Sequence, residues 1–422
     1  MLKSELRTIL LPALIFFAAC SDFLQPVEST PTPTEFEYNY WLLQRTYLFE
    51  DELPNLDPEG DSVQTLYEAL KDPYTRYVPP SKSEAVSISI NTSIVEGDVG
   101  MEYMLLANSL YPIFTYRVYP DGPAGRAGIP RYGNIRSVNG VELTGDDAFA
   151  TYNAILDTSA QVELVIYRDS AETTYNLTKE TVYAPTVFVD TLNSVIFVTI
   201  TEFKLNTADK DSGTVGELKA YLDSTQNEKS TRVINISKNP GGHVSQCVRA
   251  ADMFVSQGTL STREWRTFAP DGKNAYKKLS MEAVKGDPGE KGKFVILASG
   301  GSASCAEIFA ASVSELTDTP ILGKTTFGKG IGQTNWKTIA GGLAIITNLE
   351  FKTPKGNSYH KKGIVPDYEC DGDMVLCVSD FVKSKSGALA KPGKTPEDLS
   401  PFSIIERNPN VGGAILQQNE LE

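Results

Sequence analysis

Short apolar segments separated by glycine- and proline-marked turns run through most of the chain and predict a mixed α/β fold. In the second half, this pattern predicts strands at 194–201, 233–236, 294–297, 321–322 and 343–347. Helices are predicted between them at 216–222 and 305–316. Strands that alternate with helices in this way indicate an α/β core.

The first half has a different pattern. Residues 36–85 predict a small helical region, whose first helix carries an apolar stripe of Tyr38, Trp41, Leu42 and Phe49. Residues 95–170 predict a compact β-rich module. Its predicted elements are strands at 114–118, 135–138 and 162–167, a tight turn at 139–140, and helices at 123–128 and 146–156. Residues 379–400, rich in Lys, Ser, Gly and Pro, predict a loose tail.

Charge and histidine content exclude several functions. The chain has 422 residues, with 39 Lys and Arg against 53 Asp and Glu, for a formal charge of −14. An acidic chain without a segregated basic patch is not expected to bind nucleic acid. Two histidines in all make a histidine-built metal site and a Ser-His-Asp triad hard to assemble. We therefore expect no metal and no cofactor.

The N-terminus has the pattern of a targeting signal. Lys3 and Arg7 precede an uncharged run at 9–19 that is too short to span about 30 Å of hydrocarbon. The run ends in Phe17-Ala18-Ala19-Cys20, which resembles the lipobox of bacterial lipoproteins. The resemblance implies removal of 1–19, a lipid on Cys20, and an envelope protein facing the periplasm, with the outer membrane possible. The alternative is a buried N-terminal helix.

Two segments that follow predicted strands carry candidate catalytic groups. Ser304 lies where a buried strand runs through small residues into a helix, so free N–H groups and the helix dipole favour an oxyanion there. Lys329 lies between glycines and can act as a general base if desolvation lowers its pKa. Taken singly, these segments are better explained by an N-capping serine and a solvated lysine on a surface loop.

A third segment is a turn after the strand at 233–236. Gly241 and Gly242 can aim backbone N–H groups at an oxyanion, although Asn-Pro-Gly-Gly is also a common plain turn. Five ordered motifs together resemble the C-terminal processing peptidases of the S41 serine peptidase family. They are Asp72-Pro73-Tyr74-Thr75-Arg76-Tyr77, Asn239-Pro240-Gly241-Gly242, Ser302-Ala303-Ser304-Cys305-Ala306-Glu307, Phe327-Gly328-Lys329-Gly330 with Gln333, and Gly363-Ile364-Val365-Pro366-Asp367.

The resemblance implies a serine endopeptidase with a Ser-Lys dyad. Ser304 is then the nucleophile, Lys329 the general base and Gln333 the residue that orients Lys329. The implied oxyanion hole uses the N–H groups of Gly241 or Gly242 and of Cys305. The fold implied is a ClpP- and crotonase-like α/β core with an inserted PDZ domain. Cys305-Ala306 stands where the family usually has Ala-Ser, which removes no catalytic group.

The β-rich module resembles the PDZ domain of that family. The resemblance implies that the loop at Val99, Gly100 and Met101 binds the C-terminal carboxylate of a protein or peptide substrate, which then adds as a strand. The alternative is a PDZ-like spacer that binds nothing. The predicted division is a signal peptide at 1–19, a lipidated tether at 20–35, a helical region at 36–85, a PDZ domain at 86–172, a peptidase core at 173–378 and a tail at 379–422.

Two other functions and one cysteine question stay open. A non-catalytic peptide-binding scaffold lipoprotein would use the same fold. A crotonase-type acyl-CoA enzyme would use the glycine turn alone, but the PDZ-like module and the lipobox do not fit it. Cys370 and Cys377 are close enough in sequence to pair in an oxidising envelope, or to remain as free thiols.

Overall fold

A computed structural model describes residues 32–57, 59–106, 108–268, 274–286, 289–384, 402–404 and 414–417. The predicted signal peptide, Cys20 and most of the tether and tail lie outside these residues. Within the described ranges, no helix has both the length and the apolar character needed to cross a membrane.

The N-terminal region is helical and packs on the core. Its elements are α1 (Glu35–Thr46), a 3₁₀ turn (Glu50–Glu52), α2 (Val63–Glu68), β1 (Arg76–Val78) and α3 (Pro80–Asn91). Helix α1 buries Phe36, Leu42 and Leu43. The predicted stripe was therefore wrong at Trp41, which is 47% exposed. Pro80 occupies the first turn of α3, where proline has no helical N–H bond to lose, so the helix begins there.

The β-rich region forms its own sheet and core. Its elements are β2 (Ile94–Asp98), β3 (Met101–Leu106), β4 (Ile113–Val118), α4 (Pro123–Arg126), β5 (Asn134–Val138), β6 (Val141–Glu142), α5 (Ala148–Thr158), β7 (Gln161–Arg168), β8 (Ala171–Thr178) and β9 (Glu180–Tyr183). The sheet has the order β3-β4-β5-β7-β8, and β2 pairs separately with β9. Inward side chains such as Met101, Ile113, Ile135 and Leu164 are fully buried. The outer edge of β3 pairs antiparallel with the strand Phe402–Ile404 of the same chain.

The predicted α/β core contains a largely parallel sheet in the order β10-β11-β12-β15-β16-β19. These strands and the helices beside them are β10 (Val187–Leu192), β11 (Val195–Ile200), α6 (Gly213–Ser224), β12 (Arg232–Asn235), α7 (Val244–Asp252), β15 (Phe294–Ala298), α8 (Cys305–Leu316), β16 (Ile321–Gly323), β19 (Tyr368–Glu369) and α9 (Met374–Lys383). Every residue of β15 is buried, as expected for a strand covered on both faces.

A second, antiparallel sheet packs against the same helices. Its members are β13 (Thr259–Phe268), β14 (Asn274–Glu282), β17 (Ile331–Lys337) and β18 (Leu343–Lys352), with β1 and the strand Ala414–Gln417 at its margins. One apolar cluster joins Leu349 and Phe351 of β18 to Phe309 of α8 and Val198 of β11. Helix α8 therefore lies between the two sheets, and the groups at its N-terminus are held from both sides.

Candidate active site

Ser304 lies at the junction between β15 and α8, as the sequence predicted. It is the residue that precedes α8, and its backbone adopts φ +57° and ψ −114°. Few L-residues adopt a positive φ, because Cβ then approaches the backbone. The side chain is buried, with an exposed fraction of 0%. Ser304 and Glu307 form a capping box at this helix start, as the N-capping interpretation expects, but the positive φ of Ser304 is a strain that a cap does not require.

The unusual backbone of Ser304 leads to a stability prediction. Ser304→Gly and Ser304→Ala both remove the hydroxyl, but only glycine adopts a positive φ without steric cost. We expect the free energy of unfolding of the glycine variant to exceed that of the alanine variant by about 1 kcal/mol. Urea denaturation of both variants measures the difference. Equal stabilities, or a more stable alanine variant, would show that the backbone is unstrained at this position.

Lys329 is buried, so the alternative of a solvated loop lysine was wrong. Its side chain is 3% exposed and its Nζ lies 4.1 Å from the centre of the Tyr74 ring. Burial, which disfavours the charged amine, lowers the pKa of Lys329 from 10.5 to about 7. The nearby Arg76 also lowers this pKa, whereas Asp72 and Glu307 raise it. The neutral amine, which is able to accept a proton, is therefore accessible near neutral pH.

A chain of hydrogen bonds positions the lysine. Lys329 Nζ donates to Gln333 Oε1 over 3.0 Å, and Gln333 Nε2 donates to Thr347 Oγ1 over 2.9 Å. The Thr347 N–H donates to Thr75 Oγ1, and Thr75 Oγ1 donates to Asp72 Oδ2 over 2.6 Å. Gln333 thus contacts Lys329 directly, and it lies on β17 rather than in a loop.

The sequence did not predict that the Asp72-Pro73-Tyr74 segment reaches the lysine. It served only as a motif of the family resemblance, and no local pattern revealed a role for Tyr74 or Thr75. The structure brings it to Lys329 because β1, which follows it, pairs with β18. In the sequence, the polar residues Asp72 and Thr75 were the available sign of a role for this segment. The structure shows that both are buried.

Glu307 joins the two candidate catalytic segments, and sequence reasoning missed this as well. Its carboxylate is fully buried on the first turn of α8. It accepts the N–H of Ser304 at 2.8 Å, the N–H of Gly328 at 2.6 Å and the N–H of Lys329 at 2.8 Å. The Thr326 hydroxyl is a fourth donor. Burial raises the pKa of Glu307, and these four donors oppose that rise.

The glycine turn packs directly against Ser304. Gly241 and Gly242 have φ values of +114° and +133°, which favour glycine. A Cβ on Gly241 would lie 2.9 Å from Ser304 Cβ and 3.1 Å from the Cys305 nitrogen. The Gly241 N–H donates to Asn239 Oδ1 at 2.8 Å. Because the Gly241 N–H already has an acceptor, Gly242 is the better candidate of the two for an oxyanion donor.

The predicted peptide-binding loop precedes β3. Val99 and Met101 are buried, and the Gly100 N–H donates to Asp98 Oδ1 at 2.6 Å. The Val99 carbonyl accepts the N–H of Ala124, at the start of α4. The loop is thus fixed by its own aspartate and by a neighbouring helix.

Comparisons with known proteins bear out the family resemblance. Residues 194–370 match the model of peptidase family S41. A probable CtpA-like serine protease of Staphylococcus epidermidis (strain ATCC 12228) is 26% identical over 336 residues, covering 79% of this chain and 64% of the relative. One of the same description from Staphylococcus aureus (strain COL) is 26% identical over 375 residues, covering 86% and 71%. The chain thus spans less than two thirds of the length of the first relative and somewhat more of the second.

Two solved structures share the fold. A photosystem II D1 C-terminal processing protease matches with a TM-score of 0.50 and 22% identity, over 84% of this chain and 99% of that one. A putative S41 protease from Bacteroides fragilis matches with a TM-score of 0.52 and 14% identity, over 82% and 94%. Together these findings establish a mixed α/β chain with the fold of the S41 proteases.

Proposed function

We propose that this chain, whose residues 194–370 match the S41 peptidase family, is a serine endopeptidase that cleaves proteins near exposed C-terminal tails. The observation that carries the proposal is the buried Lys329, whose pKa of about 7 makes the amine a base near neutral pH. No histidine is needed for this chemistry. A ClpP- and crotonase-like core is part of the proposal and is supported by the order of the parallel strands around Ser304.

The proposed reaction begins with proton transfer from Ser304 Oγ to the neutral Lys329 amine. Ser304 Oγ then attacks the peptide carbonyl, and the N–H groups of Gly242 and Cys305 stabilise the oxyanion. When the tetrahedral intermediate collapses, the leaving amine takes the proton from the Lys329 ammonium. Water then attacks the acyl-enzyme, with Lys329 again as the base, and releases the acid product. Gln333 holds Nζ in place throughout.

Recognition of tails is proposed for the β-rich region, as a PDZ domain. A peptide would add antiparallel to β3, with its carboxylate near Val99, Gly100 and Met101. The chain's own strand Phe402–Ile404 pairs antiparallel with this edge, which is the pairing expected of a bound tail, and a substrate would have to take its place. The partners are then proteins or peptides with exposed apolar C-termini. A lipid on Cys20 and a periplasm-facing location in the cell envelope remain predictions from the N-terminal sequence.

The test uses the chain from Ser21 onward and an unstructured protein with an apolar C-terminus. We expect cleavage by the wild type, no detectable cleavage by Ser304→Ala, and full cleavage by Ser314→Ala, a serine on the same helix. Circular dichroism establishes that all three fold. Blocking the substrate's C-terminal carboxylate as an amide is expected to raise KM, because the PDZ loop then lacks its anion.

Two results would contradict the proposal. Equal cleavage by wild type and Ser304→Ala would place the activity at another site. A wild type that binds the tail but neither cleaves it nor reacts with a fluorophosphonate would favour the non-catalytic scaffold. The complete burial of Ser304 favours that alternative, since a substrate can reach the hydroxyl only if the surrounding residues move.

A further inference from the structure

A disulfide lies directly beside the proposed nucleophile. Cys247 of α7 and Cys305, the first residue of α8, are bonded; their Cα atoms are 5.6 Å apart and the residues are 58 positions apart in sequence. Both are completely buried. Nothing in the sequence pattern paired them, because Cys305 was considered only for its backbone N–H. In the family, this position usually carries alanine, so the bond is a feature of this chain.

The two cysteines extend from the two halves of the proposed oxyanion hole. Cys305 provides one N–H group itself. Cys247 lies in the first turns of α7, which begins immediately after Gly242 and His243. The disulfide therefore connects the segment that carries the Gly242 N–H to the segment that carries the Cys305 N–H.

Only a few hydrogen bonds otherwise join these segments. The Ala303 N–H donates to the Asn239 carbonyl at 3.0 Å, and the Ser302 hydroxyl donates to the Ile236 carbonyl at 2.7 Å. Both bonds lie on the strand side of Ser304. On the helix side, between α7 and α8, the covalent link is the Cys247–Cys305 bond. Its loss would leave the relative position of the two helix starts to apolar packing and to the hydrogen bonds on the strand side.

We propose that the Cys247–Cys305 disulfide is a positioning element that fixes the separation of the two oxyanion donors. The inference rests on the proposed peptidase function and adds to it. Oxyanion donors act only at about 2.7–3.1 Å from the charge that develops, so a small relaxation of one helix start lowers kcat. KM changes little, because the donors engage the transition state more strongly than the bound substrate.

The second disulfide offers a matched control. Cys370 and Cys377 are bonded, with Cα atoms 5.9 Å apart, and they join the end of β19 to α9. Both are buried in a different apolar cluster, on the face of the parallel sheet that carries Val233, Leu297 and Leu322. Removing this bond also removes a covalent constraint, but it touches neither Ser304 nor the glycine turn.

The experiment compares Cys247→Ala/Cys305→Ala with Cys370→Ala/Cys377→Ala. Peptide mapping of the unreduced wild type first establishes the two linkages. The rate at which a fluorophosphonate labels Ser304 is then measured together with kcat and KM for an unstructured protein. For the Cys247/Cys305 variant we expect about a tenfold loss of kcat and of labelling rate, with KM within about twofold of wild type. The Cys370/Cys377 variant is expected to keep both rates.

Loss of stability is separated from loss of positioning by a third variant. Leu218→Ala creates a cavity in the same apolar cluster, on α6, and leaves both cysteines and the proposed oxyanion donors in place. All rates are measured well below the unfolding midpoint of each variant. If Leu218→Ala is as destabilised as the Cys247/Cys305 variant but keeps the wild-type kcat, the loss of kcat in the cysteine variant is due to the missing disulfide.

Three results would overturn the inference. They are a wild-type kcat and labelling rate in the Cys247/Cys305 variant, an equal loss in the Leu218 variant, and free thiols at Cys247 and Cys305 in active wild-type protein. A wild type that neither cleaves nor reacts with the probe would refute the proposed function itself, and the inference with it. The two failures are thus distinguishable.

Discussion

Lys329→Met is expected to lower kcat/KM for protein cleavage by about 1,000-fold or more, with the fold intact. Methionine fills nearly the same volume in a buried site but cannot accept a proton from Ser304. The variant also gives up no favourable charge, because the amine is already costly to bury. Cleavage kinetics measure the expected loss of kcat/KM, and thermal unfolding measures whether the fold is retained.

Lys324 provides the control for this substitution. It is an exposed lysine at the start of the same segment, and Lys324→Met leaves the site untouched. We expect wild-type kinetics from it. A Lys329→Met variant that retained a tenth of the wild-type rate would show that another group serves as the base.

The pH dependence gives an independent measure of Lys329. Only the neutral amine accepts a proton, so kcat/KM is expected to rise with pH through about 7 and then level off. Stability follows the same group. Between about pH 7 and 10.5 the unfolded chain binds the proton that the folded chain has released, so the free energy of unfolding rises with pH, by at most about 1.4 kcal/mol per unit. Lys329→Met should lose this slope. Slopes that are equal in the two proteins would mean that the folded lysine titrates normally.

Glu307→Ala is expected to have the next largest effect, on both activity and stability. Four donors, including the N–H groups of Ser304 and Lys329, lose their acceptor in a buried place. We expect the free energy of unfolding to fall by about 3–5 kcal/mol and kcat by about 100-fold or more. The stability and kcat of Glu307→Gln are expected to lie between those of the wild type and Glu307→Ala. The amide oxygen still accepts hydrogen bonds, but the amide nitrogen faces other donors.

A glutamate further along the same helix tests whether any loss is specific. Glu315 is half-exposed and accepts the N–H of Lys355 at 2.8 Å, away from Ser304. Glu315→Ala should change stability by less than about 1 kcal/mol and leave kcat unchanged. Glu307 would be merely structural if Glu307→Gln lost stability while kcat stayed at the wild-type value.

Elements with strong local patterns could be predicted from the sequence. The strands at 114–118, 162–167 and 294–297 and the helix at 305–316 lie within one residue of β4, β7, β15 and α8. The hairpin of β13 and β14 was missed. Its residues include Arg263, Glu264, Lys277 and Lys278, so the apolar alternation is broken by charges, and pairing between the strands determines the structure instead.

The site was predictable only where one segment carries the chemistry. Ser304 follows a buried strand and precedes a helix, and Lys329 lies between glycines, so both could be singled out locally. Tyr74 and Thr75 could not, because their place beside the lysine depends on pairing with β18, far along the chain. Glu307 was visible as part of a motif, but its role as an acceptor depends on a loop some twenty residues away.

The chain of hydrogen bonds that positions Lys329 also affects when the site can form during synthesis of the protein. Thr75 and Thr347, which share one of these hydrogen bonds, lie 272 residues apart. A growing chain therefore exposes Asp72 and Thr75 long before their partners are synthesised, and contacts of such sequence separation form late in folding. Until the partners arrive, the lysine has neither its burial nor its amide neighbour. The proposed peptidase is thus expected to lack activity until β18 has been synthesised and has paired with β1.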